Sequence, residues 1–367
     1  MITKKELKTY LLKGRRLASR YYLQIKIGLF FFSLLFLILA LRVIFPYLLI
    51  GGRIVGGLAS SGISLVSQSA TDLKGENGRV NFLLLGISDE GKAGAELTDT
   101  IIFLSINPQT GNTVMLSLPR DIWLASMRAK LNTAYYYGNQ KKPGGGLILA
   151  KASVAEILGQ PVNYGVVIDF AGFEKLIDLL GGVTVNVAKS FTDDRYPLPG
   201  KEDDDCGGDP EYGCRYESIH FEAGEQEMNG KRALKYVRSR YAEGEEGTDF
   251  ARSQRQQNLL TAIKNKIFSP QVLINPLKVV QLVKVGQQSL TTDLPQKDFG
   301  GVVKLILKMR AGEIKAEILN GGAEGKEGYL INPQPNPKLY DNHWVLIPRT
   351  GDWQAVQTYV QDLLENH

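Results

Sequence analysis

Apolar positions in the central part of this chain form short unbroken runs, and further on they form helix-spaced stripes. Residues 82–87 (FLLLGI) have no polar break, the pattern of a strand buried on both faces. Runs at 100–106 (TIIFLSI) and 113–118 (TVMLSL) flank Asn107-Pro108-Gln109-Thr110-Gly111-Asn112, a strong turn sequence, so an antiparallel hairpin is expected. Residues 143–158 predict a helix ending at Gly159. Residues 162–170 (VNYGVVIDF) read as a further strand, followed by the helical GFEKLIDLL, a Gly181-Gly182 stop and the strand VTVNV at 183–187. Such alternation predicts an α/β fold, with a mixed central β-sheet flanked by helices as an α-β-α sandwich.

After an acidic excursion at 192–217, SIHFEAG and ALKYVRSRY read as strands, and a long helix is expected over 249–268. The remainder holds helical stretches (VLINPLKVVQLVKVG, DFGGVVKLILKM), short strands and a terminal helix, DWQAVQTYVQDLLE. With no internal repeat and no second linker, residues 80–367 are expected to form one domain.

Before residue 80 the pattern changes. Residues 27–50 are predominantly apolar, with Arg42 the one charge among them. As a helix they would span about 36 Å, more than the roughly 30 Å of a bilayer core. Arg42 would then snorkel toward the outer headgroups. The stretch is too long for a signal-peptide core and lacks a small-x-small exit, so a transmembrane signal anchor is expected. Residues 51–79 are rich in Gly and Ser, as a juxtamembrane linker would be.

Charge sharpens that picture. Residues 1–26 hold eight Lys or Arg against one acid, so this tail carries +7 and the rest of the chain sums to −2. A basic flank ahead of the anchor predicts a cytoplasmic N-terminus and an extracytoplasmic domain. The folded part then has no global field for nucleic acid. Cys206 and Cys214, the two cysteines of the chain, lie outside the cytoplasm on this reading and predict a local disulfide. The acids around them (Glu202, Asp203, Asp204, Asp205) also leave a Ca²⁺ loop open, although their spacing does not fit an EF-hand.

Three features bring charge to element ends. If Ile106 faces Thr113 across the hairpin turn, Asp99 faces Arg120, with Asp89 and Asp121 near the same edge. Arg238 and Arg240 are two apart, so on a strand they share a face, and guanidinium forks suit phosphate oxygens. On the helix beginning at Asp249, Arg252 and Gln256 follow at i+3 and i+7 with Arg255 on their shoulder, and Asp249 serves as N-cap or first-turn acid. Each feature alone also reads as ordinary solvated charge. Together they supply arginine forks and carboxylates, the parts of Mg²⁺-assisted phosphoryl chemistry. His220, His343 and His367 are scattered, and neither a Gly-x-Ser-x-Gly elbow nor a His-Glu-x-x-His helix occurs, so hydrolytic triads and zinc hydrolysis have little support.

Several segments in order, NFLLLGISDE, LTDTIIFLSINPQTG, VMLSLPRDIWL, KLNTAYYYG, VVIDFAGFEKLIDLLGGVTVNV, AGEQEMNGKRALKYVRSRY and DFARSQRQQNLL, resemble the LytR-CpsA-Psr family over residues 80–268. That resemblance implies a membrane-anchored phosphotransferase. It would move a glycopolymer from a polyprenyl-pyrophosphate carrier to a peptidoglycan sugar hydroxyl with Mg²⁺ or Mn²⁺. Arg120, Arg238, Arg240, Arg252, Arg255 and Gln256 would bind pyrophosphate, and Asp99, Asp249 and Asp89 would hold the metal. Asp99, Arg240, Asp249 and Arg252 would carry the catalytic role. The polyprenyl tail would lie between sheet and helices, along 166–180 and 259–268. Where the family has an arginine shortly before the Asp-Thr pair, this chain has Glu96-Leu97-Thr98. A polyprenyl-pyrophosphate hydrolase and a non-catalytic lipid-binding envelope regulator are the alternatives; the first needs the same residues with water as acceptor.

Overall fold

The computed structural model describes residue 70 and residues 73–88, 96–320, 322–323 and 326–367. The basic tail, the apolar run at 27–50 and Asp89 lie outside the described residues. Among the described residues no helix is long and apolar enough to cross a membrane.

The strands that matter for the site are β1 (Val80–Ile87), β2 (Thr98–Ile106), β3 (Thr113–Ser117), β4 (Trp123–Leu124), β5 (Ala129–Lys130), β6 (Tyr164–Ile168), β7 (Val183–Val187), β8 (Phe191–Pro197), β9 (Tyr216–Phe221), β10 (Gly224–Met228), β11 (Leu290–Thr292) and β12 (Ile314–Ile318). The helices are α1 (Ala134–Lys141), α2 (Gly145–Leu158), α3 (Phe170–Leu180), α4 (Gly230–Arg238), α5 (Asp249–Ile267), α6 (Pro270–Leu273), α7 (Pro276–Ser289), α8 (Phe299–Lys308), α9 (Pro337–Tyr340) and α10 (Gln354–Glu365).

A six-stranded mixed sheet runs in the order β11-β6-β1-β2-β3-β12. β1 pairs antiparallel with β2 and parallel with β6, while β12 lies parallel to β3. The hairpin forms in the expected register, with Ile106 opposite Thr113 and Ile102 opposite Ser117. Alternation along β1 divides the core. Leu83 and Leu85 face α2 and α10 through Leu147, Val154, Ile157, Val356 and Val360. Val80 and Phe82 face the other way, toward Tyr164 and Leu305. The fully buried Phe103 on the first face is worth about 1.5–3 kcal/mol in apolar burial alone.

A third cluster joins α3, α4 and α5 to the β7–β10 and β8–β9 ladders through Ile177, Val185, Phe191, Phe221, Tyr236 and Leu259. α5 is fastened to the sheet by buried Gln257, whose amide donates to Ser117 Oγ (2.9 Å) and to the Glu317 carbonyl (2.6 Å). The result is an α/β fold with helices on both faces of the sheet.

One expected strand is a helix. Residues 230–238, which include the first six residues of ALKYVRSRY, form α4. Asn229 caps its start by accepting from the Arg232 amide, and Ala233, Tyr236 and Val237 are buried at helical spacing. Gly230 is required there, since a Cβ would stand 2.4 Å from the Glu174 carbonyl oxygen of α3.

The excursion between β8 and β9 is closed by the Cys206–Cys214 disulfide. Three of its carboxylates cap backbone amides. Asp204 accepts from the Cys206 amide, Asp205 from Gly207, and Asp209 from Glu211 and Gly213. Asp204 lies close to both sulfurs, but disulfide-bonded sulfur is no thiolate ligand.

Candidate active site

Where β1 ends and β2 begins beneath α3, α4 and α5, a cavity of about 350 Å³ opens with a charged mouth and an apolar wall. Leu84, Ile102, Val166, Phe173, Leu234 and Leu260 represent the wall, and Asp99, Arg238, Arg240, Arg252 and Gln256 line the mouth. Of the two segments expected along a lipid tail, Val166, Ile168, Phe170 and Phe173 of the first line this cavity, as do Leu259 and Leu260 of the second. The β1–β2 register shifts between Gly86 and Ile87, at the mouth, where bulges commonly re-aim side chains.

Asp99, second residue of β2, pairs through Oδ1 with Arg120 Nη1. Arg120 lies beyond the end of β3, and its backbone is held because its carbonyl accepts from the Asn132 amide (3.1 Å). Asp121 is buried and grips the same turn, 2.7 Å from Lys130 Nζ and 3.4 Å from Arg120 Nε. Burial alone would lower the Arg120 pKa. The carboxylates of Asp99 and Asp121 outweigh it, so the guanidinium is held more firmly protonated.

α5 starts at the mouth. Thr248 is its N-cap, accepting from the Ala251 amide at 3.1 Å, and Asp249 is its first-turn acid. Asp249 Oδ1 lies 2.9 Å from Arg252 Nη2 and 4.0 Å from Arg240 Nη2. The Arg252 side chain is only 7% exposed. Burial is the main force lowering its pKa, with the Arg240 and Arg120 charges adding to it against Asp249. A guanidinium stays charged at neutral pH regardless. Several cations thus crowd one mouth with two half-exposed carboxylates between them, an arrangement that an anion would relieve.

Arg238 and Arg240 reach the mouth by another route than a shared strand face. Arg238 ends α4, with its guanidinium 4.2 Å above the Phe170 ring and Nη1 donating to Tyr196 Oη at 3.2 Å. Arg240 follows in the turn to α5. That turn is held by Asp193 of β8, a wholly buried carboxylate. Asp193 Oδ2 accepts from Ser239 Oγ (2.7 Å), the Arg240 amide (3.0 Å) and the Tyr241 amide (3.2 Å).

Arg255 does not face the mouth. Its guanidinium donates to the carbonyls of Tyr236 (3.1 Å) and Ser239 (2.8 Å) and pairs with Glu246 at 3.0 Å, over the Phe191 ring. It lines a second cavity, with Phe191 and Tyr236, on another side of α5. There it satisfies the carbonyls at the end of α4 and so supports the turn that presents Arg240.

Sequence reasoning missed Asp193 and Tyr196. A signal existed for the first: in FTDDRYP, strand period two from the apolar Phe191 places Asp193 inward, where an acid must be bonded. Asp99 and Asp249 are 45% and 50% exposed at the side chain and offer hard oxygen donors. Such a pair suits Mg²⁺, which takes one or two carboxylates and completes its shell from substrate oxygens and water.

A family model described as the LytR_cpsA_psr family matches residues 60–342 of this chain. The polyisoprenyl-teichoic acid–peptidoglycan teichoic acid transferase TagU of Enterococcus faecalis is 29% identical over 256 residues, covering 68% of this chain and 72% of the relative. The fold is similar to the crystal structure of Bacillus subtilis TagV, at TM-score 0.55 and 23% identity, covering 79% of this chain and 99% of that one. It is also similar to the structure of TagT bound to LI-WTA, at TM-score 0.51 and 21% identity, with 83% of this chain and 98% of that one covered. With the matched segment spanning most of the chain and the fold shared, the chain belongs to the LytR-CpsA-Psr family.

Proposed function

We propose that this protein is an extracytoplasmic, membrane-anchored phosphotransferase that moves a cell-wall glycopolymer from a polyprenyl-pyrophosphate carrier to a peptidoglycan hydroxyl. Wall teichoic acid is the polymer favoured by the names of its relatives. The observation that carries the reading is the arginine and aspartate mouth set over an apolar cavity. A pyrophosphate with a prenyl tail needs both halves.

In this reading Arg120, Arg238, Arg240, Arg252 and Gln256 bind the pyrophosphate oxygens and the cavity takes the proximal prenyl units. The acceptor hydroxyl oxygen forms a bond to the phosphorus that bears the glycan. The bond from that phosphorus to the bridging oxygen breaks, and the oxygen leaves with the other phosphorus as polyprenyl monophosphate. The hydroxyl proton passes to a carboxylate at the mouth, Asp99 or Asp249. Mg²⁺ or Mn²⁺ held by Asp99, Asp249 and Asp89 would neutralise phosphate charge. The arginines spread over the mouth stabilise the charge that gathers on the leaving oxygen, where preorganised donors act most strongly.

The test incubates the full chain with lipid-linked teichoic acid, Mg²⁺ and peptidoglycan fragments and follows polymer-linked peptidoglycan. Product that is lost on Asp99→Asn or Arg252→Gln supports the reading. Release of prenyl phosphate with no peptidoglycan product identifies a hydrolase, and no turnover of the donor overturns the enzymatic reading.

A further inference from the structure

The end of the helical layer remote from the arginines carries a surface that the site does not use. Leu273, Ile274 and Leu277, where α6 gives way to α7, are 37%, 69% and 60% exposed. Single exposed apolar residues are normal, but here three fall within five positions. At the close of α8, Ile306 and Leu307 are exposed as well. The stretch that carries Leu273, Ile274 and Leu277 is also free of acids. Residues 250–292 contain no Asp or Glu, and carry Lys264, Lys266, Lys278 and Lys284 besides Arg252 and Arg255.

The exposed apolar residues and Lys266 stand at one end of the sheet. Along α5, Gln257 reaches Ser117 and Glu317 at the C-terminal ends of β3 and β12, whereas Lys264 Nζ donates to the Gly312 carbonyl, just ahead of β12. Thr113 and Ile314, which begin β3 and β12, lie in one paired row with Ile106 and Val80. The C-terminus of α5 therefore stands at the end where β1 begins. The Lys308 carbonyl at the close of α8 packs against Gly111, in the β2–β3 turn, so α8 ends there too. The mouth is at the opposite end, and the helix from Arg252 to Ile267 separates the two by about 22 Å. The chain also arrives from this side: Ala70 and Leu73 pack beside Val80 and Leu305, and 69 residues, including the apolar run at 27–50, precede them.

We propose that this end docks on an anionic lipid bilayer, with Leu273, Ile274 and Leu277 in the headgroup–acyl boundary and Lys266 against lipid phosphates. The inference rests on the reading of residues 27–50 as an anchor and deepens the proposed function by orienting the site. Tethering makes docking intramolecular, so a small patch suffices. Docked in this way, the domain holds its arginine mouth away from the headgroups and its apolar cavity between mouth and membrane.

The test uses full-length Ile274→Cys and Leu339→Cys variants in vesicles of equimolar phosphatidylcholine and phosphatidylglycerol containing spin-labelled lipid. Each carries an environment-sensitive fluorophore on the new thiol, since both native cysteines are in the disulfide. Leu339 is the control: it is 55% exposed on α9, which packs on the β4–β5 ladder through Tyr340 and Trp123. Quenching several-fold stronger at position 274 than at 339, and weaker without phosphatidylglycerol, is the expected result. Equal quenching at the two positions overturns the proposal, and quenching at 274 that ignores lipid charge overturns the part given to Lys266. Quenching needs no turnover. Retained quenching with absent transfer therefore faults the enzymatic reading, and lost quenching with intact transfer faults the docking.

Discussion

The carboxylate of Asp193 accepts the backbone N–H of Arg240 at 3.0 Å, across 47 residues of sequence. The same oxygen takes Ser239 Oγ and the Tyr241 amide, and Oδ1 takes the Arg195 amide. A buried acceptor is thereby turned into the mount for a guanidinium that never touches it. Asp193→Asn keeps one oxygen but sets an NH₂ group against donors, which should cost about 1–3 kcal/mol of stability. With the Arg240 turn loosened, kcat for transfer should fall more than KM for the donor rises. Urea denaturation and steady-state kinetics on the same variant check both. Unchanged kinetics at reduced stability would make Asp193 a folding residue alone.

Arg252 and Arg255 lie one helical turn apart and should fail in opposite ways. Arg252→Gln removes a charge from a crowded mouth, so transfer should drop by about 10²–10³ with stability held or slightly raised. Arg255→Gln strips partners from Glu246 and two carbonyls. It should lose about 3 kcal/mol of stability, and the residual folded fraction should still transfer. Thermal melts beside product assays separate the two.

The cavity wall makes a separate demand. Val166→Phe adds a ring on the inner face and fills space that the reading assigns to prenyl units. Donors with long prenyl chains should then show a raised KM, and short-chain analogues should suffer less. Equal loss for both would place the tail elsewhere.

At alkaline pH the fold should weaken through tyrosines. Burial, more than the hydrogen bond to Asp298, pushes Tyr164 up to about 12, and burial likewise lifts Tyr359 to about 12. In the unfolded chain both titrate near 10. Between those values the folded state keeps protons that the unfolded state has lost. Their contribution is therefore complete below about pH 10 and disappears as pH rises toward 12. Tyr164→Phe forfeits the bond to Asp298 at all pH but should flatten the slope of unfolding midpoint against pH in this range. An unaltered slope would show that Tyr164 ionises normally.

Much of this architecture was legible before any coordinates. The hairpin register follows from one turn and a period of two, and it brings Asp99 to Arg120 correctly although β3 stops three residues short. The Asp249, Arg252 and Gln256 stripe follows from helical spacing. The Arg238 and Arg240 pair was misread because nine residues fit either period. What decides for helix is the Asn229 cap and the seat of Gly230 on α3, a tertiary contact. The direction of Arg255 depends on the end of α4 needing donors for its carbonyls, which helical spacing in α5 does not reveal.

The disulfide-closed excursion springs from β8, the strand whose Asp193 and Tyr196 steady the two arginines from behind. Its root is committed to the chemistry, while its tip beyond Pro197 is held by its own caps and crosslink and by the exposed Arg195–Glu211 pair. Evolution can lengthen or recompose the tip and so retune what approaches from outside, with no penalty to the reaction. Divergence among relatives should concentrate in that tip and spare the root.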